Sequence, residues 1–295
     1  MATEKKPIVV VFGATGAQGG SVVKYLLEDG KYAVRGVTRN VESEKSKKLA
    51  AMGVEMVTAD QNNYDQVKAA FKDAYAAFVV TNFWDPSSMG KEVELGEKAA
   101  KAAKEAGITH YLWSTLANVE AQSGGKWHVP HFTDKAKVDP IIRGLGFKYH
   151  TFILANFYFS NFKYFGLTKE NADGSVEFKF PHYDDETVHT GYDVGETGLP
   201  IPNILAHPQE YHDRYIVYDG FTAPMKDWIK IFTEVTGKQA KLGEVGASEF
   251  MEELVKMFGW FKEYGYYGNT DKTAGAKALP RPLTSWKEHL QHNWH

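Results

Sequence analysis

The feature that most constrains the fold is a glycine-spaced turn close to the start of the chain. A continuous apolar run over residues 8–12 predicts a buried parallel strand, and Gly13, Gly16 and Gly19 follow it at intervals of three. Apolar residues over 22–27 then recur with helical spacing. A helix N-terminus carries unpaired N–H donors and about half a positive charge, so it favours an anion. The pattern therefore predicts a dinucleotide diphosphate here, although a glycine-rich turn without a ligand has the same spacing.

Each of the three glycines has its own expected role. Gly13 permits the tight turn, Gly16 lets backbone N–H groups approach a pyrophosphate, and Gly19 lets the helix pack close to the strand. The residues expected to form this cradle are Gly13, Thr15, Gly16, Ala17, Gln18 and Gly19.

The chain after this turn alternates between strand and helix patterns. Five such units precede residue 115, and a sixth adds a helix over 135–144 and a strand over 149–154. The alternation predicts an α/β fold, a doubly wound parallel-sheet Rossmann domain with a smaller mixed α+β C-terminal lobe. The predicted boundaries are 1–156 for the Rossmann domain, with a segment near 187–218 as a candidate to return to it, and 157–295 for the lobe.

The composition excludes several kinds of site. The 295 residues carry a net charge of −3, which gives no basic footprint for direct binding to nucleic acid. There is no cysteine, so thiol nucleophiles, disulfides and cysteine–zinc sites are excluded. No apolar run reaches the ~18 residues of a membrane span, and the segment before Ile8 lacks the apolar core of a secretory signal. We therefore expect a cytoplasmic protein without a membrane partner, and the scattered histidines give no metal site.

The residue after the second predicted strand distinguishes between the two nicotinamide cofactors. That strand covers 32–38, and the next residue meets the adenosine ribose in a fold of this kind. An acidic side chain there would bind the ribose 2′-hydroxyl of NAD, whereas this chain has Arg39. A guanidinium makes a charge-assisted contact with a 2′-phosphate, which predicts NADP(H) as the cofactor. The alternative explanation is a solvated basic helix face, since Lys45, Lys47 and Lys48 are nearby.

The Gly-x-x-Gly-x-x-Gly spacing resembles the extended and atypical branches of the short-chain dehydrogenase/reductase superfamily. Members of that superfamily use a Ser, a Tyr and a Lys, with Tyr-x-x-x-Lys on one helix face. The resemblance places Ser114 and Lys135 at two of these positions, but His131 stands where the tyrosine belongs. An imidazole is shorter than a phenol and differs in pKa, so the usual mechanism does not transfer directly. Lys135 is expected to contact the cofactor ribose, and His131 is either catalytic or a polar residue at a helix entrance.

Two further groups of residues are expected to line the same cleft. Thr81, Asn82 and Phe83 follow the fourth predicted strand, and open α/β sheets bind ligands outside the carboxyl ends of their strands. Asp60 and Gln61 follow the third strand, where the superfamily resemblance implies a contact with the adenine. The alternative for Asp60 and Gln61 is a turn that leads into a helix cap.

Five segments together resemble the NmrA-like family, and especially its eukaryotic redox-sensor members. They are residues 13–22, 37–39, 113–115, 131–135 and 156–161. The resemblance covers nearly the whole chain and implies an NADP(H)-binding Rossmann protein. Several members lack the catalytic tyrosine and act as regulators that sense the NADPH/NADP ratio through partner proteins, whereas isoflavone-reductase-like and quinone-reductase-like relatives are active and rely on the Lys.

The resemblance therefore implies one of two functions. The first is a redox-sensing regulator with a protein partner, a monomer or homodimer in the cytoplasm and also the nucleus. The second is an NADPH-dependent reductase of a small-molecule electrophile, a quinone or related carbonyl compound. In both, the family position places Asn156 and Phe157 next to the cofactor.

Capping signals predict three helices in the C-terminal part. Thr222 and Ser248 each precede an apolar helical stripe, and Ser285 with Glu288 forms the pattern of a capping box.

Two stretches of the C-terminal part have less definite predictions. A helix over 191–206 would be interrupted by Pro200 and Pro202. The aromatic cluster over 260–267 is expected to roof a substrate cleft, to form a partner surface or to belong to the lobe core.

Overall fold

The structure is a computed structural model that describes residues 5–246 and 249–294. Its strands are β1 (Ile8–Phe12), β2 (Ala33–Thr38), β3 (Glu55–Thr58), β4 (Ala76–Val79), β5 (His110–Thr115), β6 (Tyr149–Leu154), β7 (Thr168–Glu170), β8 (Val176–Phe178), β9 (Val188–Gly191), β10 (Tyr215–Val217), β11 (Phe221–Pro224) and β12 (Ala240–Leu242). Its helices are α1 (Ala17–Asp29), α2 (Glu44–Ala51), α3 (Tyr64–Ala70), α4 (Glu92–Glu105), α5 (Val119–Gln122), α6 (Pro130–Gly144), α7 (Asn161–Tyr164), α8 (Ile201–Ala206), α9 (Met225–Thr236), α10 (Glu252–Tyr264), α11 (Thr273–Ala278) and α12 (Trp286–Asn293).

Seven strands form one sheet in the order β10-β6-β5-β4-β1-β2-β3. Every neighbouring pair in this sheet is parallel, with helices between successive strands. The predicted doubly wound α/β fold is therefore confirmed, together with a smaller part that contains the sheets β11-β9 and β12-β8-β7. The strand order reverses between β1 and β4, and such a switch point opens a crevice at the carboxyl ends of the strands.

Strand β1 is buried on both faces of the sheet, and helix α1 covers one of them. Val9, Val10 and Val11 of β1 are fully buried, which explains why the apolar run is continuous instead of alternating. Helix α1 packs its buried face, which includes Val22, onto this sheet and ends at Gly30, whose φ of +70° is in the left-handed region.

The helix that carries Lys135 begins earlier than the predicted start at residue 135. Pro130 opens α6, and a proline is tolerated in the first helical turn because its missing N–H has no partner there. His131 and Lys135 therefore stand four residues apart on one helix, where side chains at this spacing share a face.

The predicted cap at Thr222 is wrong. Thr222 lies in β11, and its hydroxyl bonds to Thr190 and Asp219. Helix α9 instead begins at Met225 and ends at Gly237. The strand β11 overrides the local capping signal because its pairing with β9 continues through Pro224.

The other C-terminal predictions have mixed outcomes. The capping box of Ser285 and Glu288 is present at the start of α12. Pro200 is the N-cap and Pro202 lies in the first turn of the short helix α8. No continuous helix therefore covers residues 191–206. Ser248 lies outside the described residues, as do residues 1–4.

The C-terminal chain contributes both to the large sheet and to a separate aromatic core. Strand β10 pairs with β6 at the sheet edge, while the division at residue 156 stays a prediction. Trp260, Phe261 and Tyr267 of the aromatic cluster are buried in the core of the smaller part. Among the described residues, no helix is long and apolar enough to cross a membrane.

Candidate functional site

A large cleft opens at the carboxyl ends of β1, β2, β4, β5 and β6. Its volume is about 1010 Å³, which is enough for an extended cofactor. All the predicted catalytic and cofactor-binding residues line it: Gly13, Thr15, Gly16, Ala17, Gln18, Gly19, Arg39, Asp60, Gln61, Thr81, Asn82, Phe83, Ser114, His131, Lys135, Asn156 and Phe157. The structure thus brings these residues together, while their contacts with a cofactor stay predictions.

The glycine turn forms a cradle that only a backbone without side chains can provide. Gly13 has a φ of +65°, and its carbonyl accepts a hydrogen bond of 2.8 Å from the Gly16 N–H. A β-carbon on Gly19 would overlap the Gly13 carbonyl, so the close approach requires glycine. Gly16 caps α1 without a side-chain hydrogen bond, and the first turn of α1 has no acidic residue. This helix end fits a pyrophosphate because its N–H donors and its positive dipole face the cleft.

Arg39 lies where the cleft continues beyond β2, and it already has an anionic partner. Its side chain is 62% exposed, and its guanidinium lies 2.7 Å from Asp85. Hydrogen bonds from Ser87 and the charge of Arg39 lower the pKa of Asp85, so this carboxylate is charged at neutral pH. A 2′-phosphate placed here would compete with Asp85 for the guanidinium.

Asp60 and Gln61 line the cleft but also make the turn contacts of their alternative explanation. Asp60 accepts hydrogen bonds from the backbone and side chain of Asn62 at 2.9 and 3.0 Å, which lower its pKa. Gln61 donates to the Val80 carbonyl at 3.0 Å, and Asn63 caps α3. A contact of either residue with adenine stays a prediction.

Lys135 forms a buried ion pair at the wall of the cleft. Its ammonium donates to Glu92 at 2.5 Å and to the carbonyl and hydroxyl of Thr81 at 2.9 and 2.8 Å. The Thr81 hydroxyl also donates to Glu92, whose side chain is fully buried. Because an ammonium has three N–H donors, these acceptors use its whole donor set. A contact between Lys135 and a cofactor ribose therefore requires Lys135 to exchange one of these partners.

Three polar side chains from different parts of the chain form a second network in the cleft. The Ser114 hydroxyl donates to Gln18 Oε1 at 2.7 Å. Gln18 Nε2 in turn donates to the Tyr158 hydroxyl at 2.6 Å. Ser114 is a buried residue next to the carboxyl end of β5, Gln18 lies in the first turn of α1, and Tyr158 follows β6. Gln18 of α1 thus holds the hydroxyl groups of Ser114 and Tyr158 at one end of the cleft.

His131 is tied to the C-terminal part of the chain. Its Nδ1 lies 2.5 Å from Glu253 of α10, and its backbone N–H donates to the same oxygen at 2.9 Å. Burial raises the pKa of Glu253, but these hydrogen bonds outweigh burial and hold the pKa below its usual value. The imidazole also packs 5.1 Å from the ring of Trp84. This arrangement orients the ring and is compatible with both expectations for His131.

The predicted wall residues Asn156 and Phe157 are largely held by the protein itself. The amide of Asn156 donates to Thr190 and to the Tyr218 carbonyl, both at 2.8 Å, and accepts from the Phe157 N–H. Phe157 is buried among aromatic rings. Within residues 5–246 and 249–294, no three His, Asp or Glu side chains converge as a metal site.

Predicted site residues contact several side chains that the sequence does not predict, among them Asp85, Glu92, Tyr158 and Glu253. Glu92 is 43 residues from its partner Lys135, and Tyr158 is 140 residues from Gln18. No local pattern marks Glu92, because it opens a helix rich in Lys and Glu. The available signal for Tyr158 was its place in the family-like segment 156–161, where an aromatic run is more typical of a core.

Comparisons with known proteins agree with this architecture. The model of the NmrA-like family matches residues 5–290. The NmrA-like family domain-containing oxidoreductase himF of Aspergillus japonicus is 38% identical over 84% of this chain and 78% of its own length. An NmrA-like family domain-containing protein of Dictyostelium discoideum is 28% identical over 96% of both chains.

Solved structures share the fold. NmrA, described as a negative transcriptional regulator, superposes with a TM-score of 0.83 at 22% identity, covering 98% of this chain and 96% of NmrA. The triphenylmethane reductase of Citrobacter sp., solved with NADP(H), gives a TM-score of 0.75 at 19% identity and covers 97% of this chain and 99% of the reductase.

Proposed function

This chain belongs to the NmrA-like family, and from that premise we propose that it binds NADP(H) and acts as a redox-sensing regulatory protein through partner proteins. The observation that carries the proposal is the pairing of an open dinucleotide cradle with a lysine whose donors are all engaged. The first feature favours binding of a cofactor, and the second disfavours ordinary catalysis on it.

The choice of NADP(H) rests on the residue beyond β2. Arg39 offers a guanidinium where an acidic residue would select NAD. A charge-assisted contact with a phosphate contributes about 1.5–3 kcal/mol, although the ion pair with Asp85 offsets part of that gain. Solved complexes of the structural neighbour NmrA with NAD and with NADP are in line with a dinucleotide in this fold.

The regulatory part of the proposal rests on the residues that replace the usual catalytic set. His131 occupies the place of the tyrosine and is held by Glu253. Lys135 forms an ion pair with Glu92, so it is not free to activate a proton donor. NmrA, which shares the fold, is described as a transcriptional regulator. For this chain a protein partner, and a place in the cytoplasm or nucleus, remain part of the proposal.

Hydrogen exchange with NADPH, with NADP and without cofactor tests the sensor. A sensor of this kind must adopt different conformations with NADPH and with NADP. A ligand shifts an equilibrium between two protein conformations only when it binds them with different affinities. We expect protection to differ between the NADPH and NADP complexes near Trp84 and at the His131–Glu253 contact. Identical protection in both complexes would contradict the sensor, while leaving cofactor binding in place.

The second candidate function is an NADPH-dependent reductase of quinones or related carbonyl compounds. The observation that favours it is the network of Ser114, Gln18 and Tyr158, which presents hydroxyl groups in a cleft that also has apolar walls. The relative himF carries the name oxidoreductase, and the neighbour from Citrobacter sp. is a reductase. Steady oxidation of NADPH at 340 nm with a panel of quinones and aromatic aldehydes supports this function, and its absence across the panel contradicts it.

A further inference from the structure

We propose that Tyr158 is the proton donor of a carbonyl reduction in this cleft, in place of the tyrosine that α6 lacks. The proposal rests on the second candidate function, the reductase. It assigns a catalytic role to a residue that reaches the cleft from the segment after β6 and not from the helix of Lys135.

The hydroxyl of Tyr158 is held in the cleft with its proton uncommitted. It accepts a 2.6 Å hydrogen bond from Gln18 Nε2, and among the described residues it donates to none. A phenol that accepts one hydrogen bond still has its own O–H to donate. The side chain lines the cleft and is half-buried, so a ligand there can reach it.

The position of Tyr158 in the sheet also fits a reacting centre. Arg39 follows β2 on one side of β1, whereas Ser114 lies next to the carboxyl end of β5 on the other side, beyond β4. A dinucleotide with its pyrophosphate on the cradle and its adenosine at Arg39 extends its other end toward β4 and β5. Gln18 connects the Ser114 hydroxyl at that end to Tyr158, so both hydroxyls lie near the expected nicotinamide.

Lys135 and His131 are two other side chains of the cleft that carry N–H groups. All three N–H donors of Lys135 are bonded to Glu92 and Thr81. His131 is held through Nδ1 by Glu253 and is the rival donor, so the experiment must separate it from Tyr158. Burial raises the pKa of Tyr158, although the bond from Gln18 lowers it, so the phenol keeps its proton at neutral pH.

The step balances with a reduced nicotinamide dinucleotide as the named reductant. The carbonyl carbon accepts a hydride from that reductant, which is oxidised, and the carbon–oxygen π bond breaks. The oxygen takes the Tyr158 proton, so the carbonyl becomes an alcohol. The resulting tyrosinate accepts a hydrogen bond from Gln18 and takes a proton from water in the open cleft.

The test compares wild-type protein with Tyr158→Phe, which removes only the hydroxyl. Tyr149→Phe, at the opposite end of β6, is the matched control, and His131→Gln tests the rival donor. Three measurements are made: NADPH affinity by calorimetry, steady-state kinetics (kcat and KM) with 9,10-phenanthrenequinone and 4-nitrobenzaldehyde, and the carbonyl stretch of acetophenone bound with NADP. Acetophenone with the oxidised cofactor does not react, so its infrared shift reports a hydrogen bond independently of turnover.

We expect Tyr158→Phe to bind NADPH as the wild type does and to lose about 10²–10⁴-fold in kcat, with a smaller change in KM. In Tyr158→Phe, the carbonyl stretch of bound acetophenone should move from its wild-type value back toward its value in apolar solvent. Tyr149→Phe should match the wild type in all three measurements. Unchanged kcat and an unchanged carbonyl stretch in Tyr158→Phe, or a comparable loss in His131→Gln alone, would overturn the assignment while the reductase stands. No turnover by the wild type would overturn the reductase and this assignment together.

Discussion

The buried pair of Lys135 and Glu92 leads to a sharp prediction about stability. Glu92 is fully enclosed, with one carboxylate oxygen lacking a hydrogen-bond partner among the described residues, and Lys135 is 11% exposed. Removal of one partner leaves the other charge buried. Removal of both leaves two apolar side chains in a space that already excludes most water.

The magnitudes follow from burial. Loss of one partner of a buried ion pair costs about 3–5 kcal/mol of unfolding free energy. Lys135→Met should lie near the upper end, since the Glu92 carboxylate would keep only the Thr81 hydroxyl as a donor. Glu92→Leu should lie near the lower end, because the ammonium keeps both Thr81 oxygens and some solvent. The unfolding free energy of the double variant should exceed that of the more stable single variant by about 2 kcal/mol or more, since apolar replacement of such a pair is often neutral.

Equilibrium unfolding in urea, followed by tryptophan fluorescence, measures the unfolding free energy of the wild type, the two single variants and the double variant. The control is the exposed pair Glu97 and Lys101 on α4, which lies 2.6 Å apart. The same replacements there should each change the unfolding free energy by about 0–1 kcal/mol. Single variants of the buried pair that lose less than about 1 kcal/mol, or a double variant whose loss is the sum of the singles, would refute this reasoning.

Three further predictions concern the cleft and the core. Arg39→Ala should weaken NADPH binding about tenfold in calorimetry and leave NADH binding nearly unchanged, because only NADPH carries the 2′-phosphate; equal losses for both would contradict this. Gly19→Ala should abolish detectable NADPH binding because its β-carbon overlaps the backbone of the turn, whereas Gly20→Ala, whose β-carbon would make an ordinary 3.4 Å contact, should bind normally. Burial lowers the pKa of both His110 and His189 to about 3 from a value of 6.5 in the unfolded chain. The unfolded state therefore binds more protons below pH 6.5, so each histidine should lower the unfolding free energy by ~1.4 kcal/mol for each unit that the pH is lowered between 6.5 and 3. Burial raises the pKa of Asp139 to about 7, which offsets one of the two histidines, so the unfolding free energy should still fall on acidification. Urea unfolding at pH 7.5 and 5.0 checks this, and equal stability at both would count against it.

The fold was predictable because its signals are local. The apolar run of β1, the glycine spacing and the alternation of strands and helices lie within short windows of sequence. The start of α6 was less predictable. A proline usually ends a helix, but it is tolerated in the first turn, where Pro130 lies. Thr222 has the side chain of a good cap, and pairing of β11 with a distant strand decided its structure instead.

The candidate site was predictable in its location but not in its chemistry. Positions such as Arg39 and Ser114 follow from the ends of strands, which a parallel sheet brings to one edge. The pairing of Lys135 with Glu92, and of Gln18 with Tyr158, depends on how helices and loops far apart in sequence pack. These contacts change what the lysine and the tyrosine can do, and no spacing within the chain encodes them.

The most direct test of the account is a calorimetric titration of the protein with NADPH, NADP, NADH and NAD. We expect a single site per chain that binds NADPH at micromolar concentration or more tightly, and binds NADH about tenfold more weakly. Absence of heat with all four dinucleotides, or preference for NADH over NADPH, would contradict it.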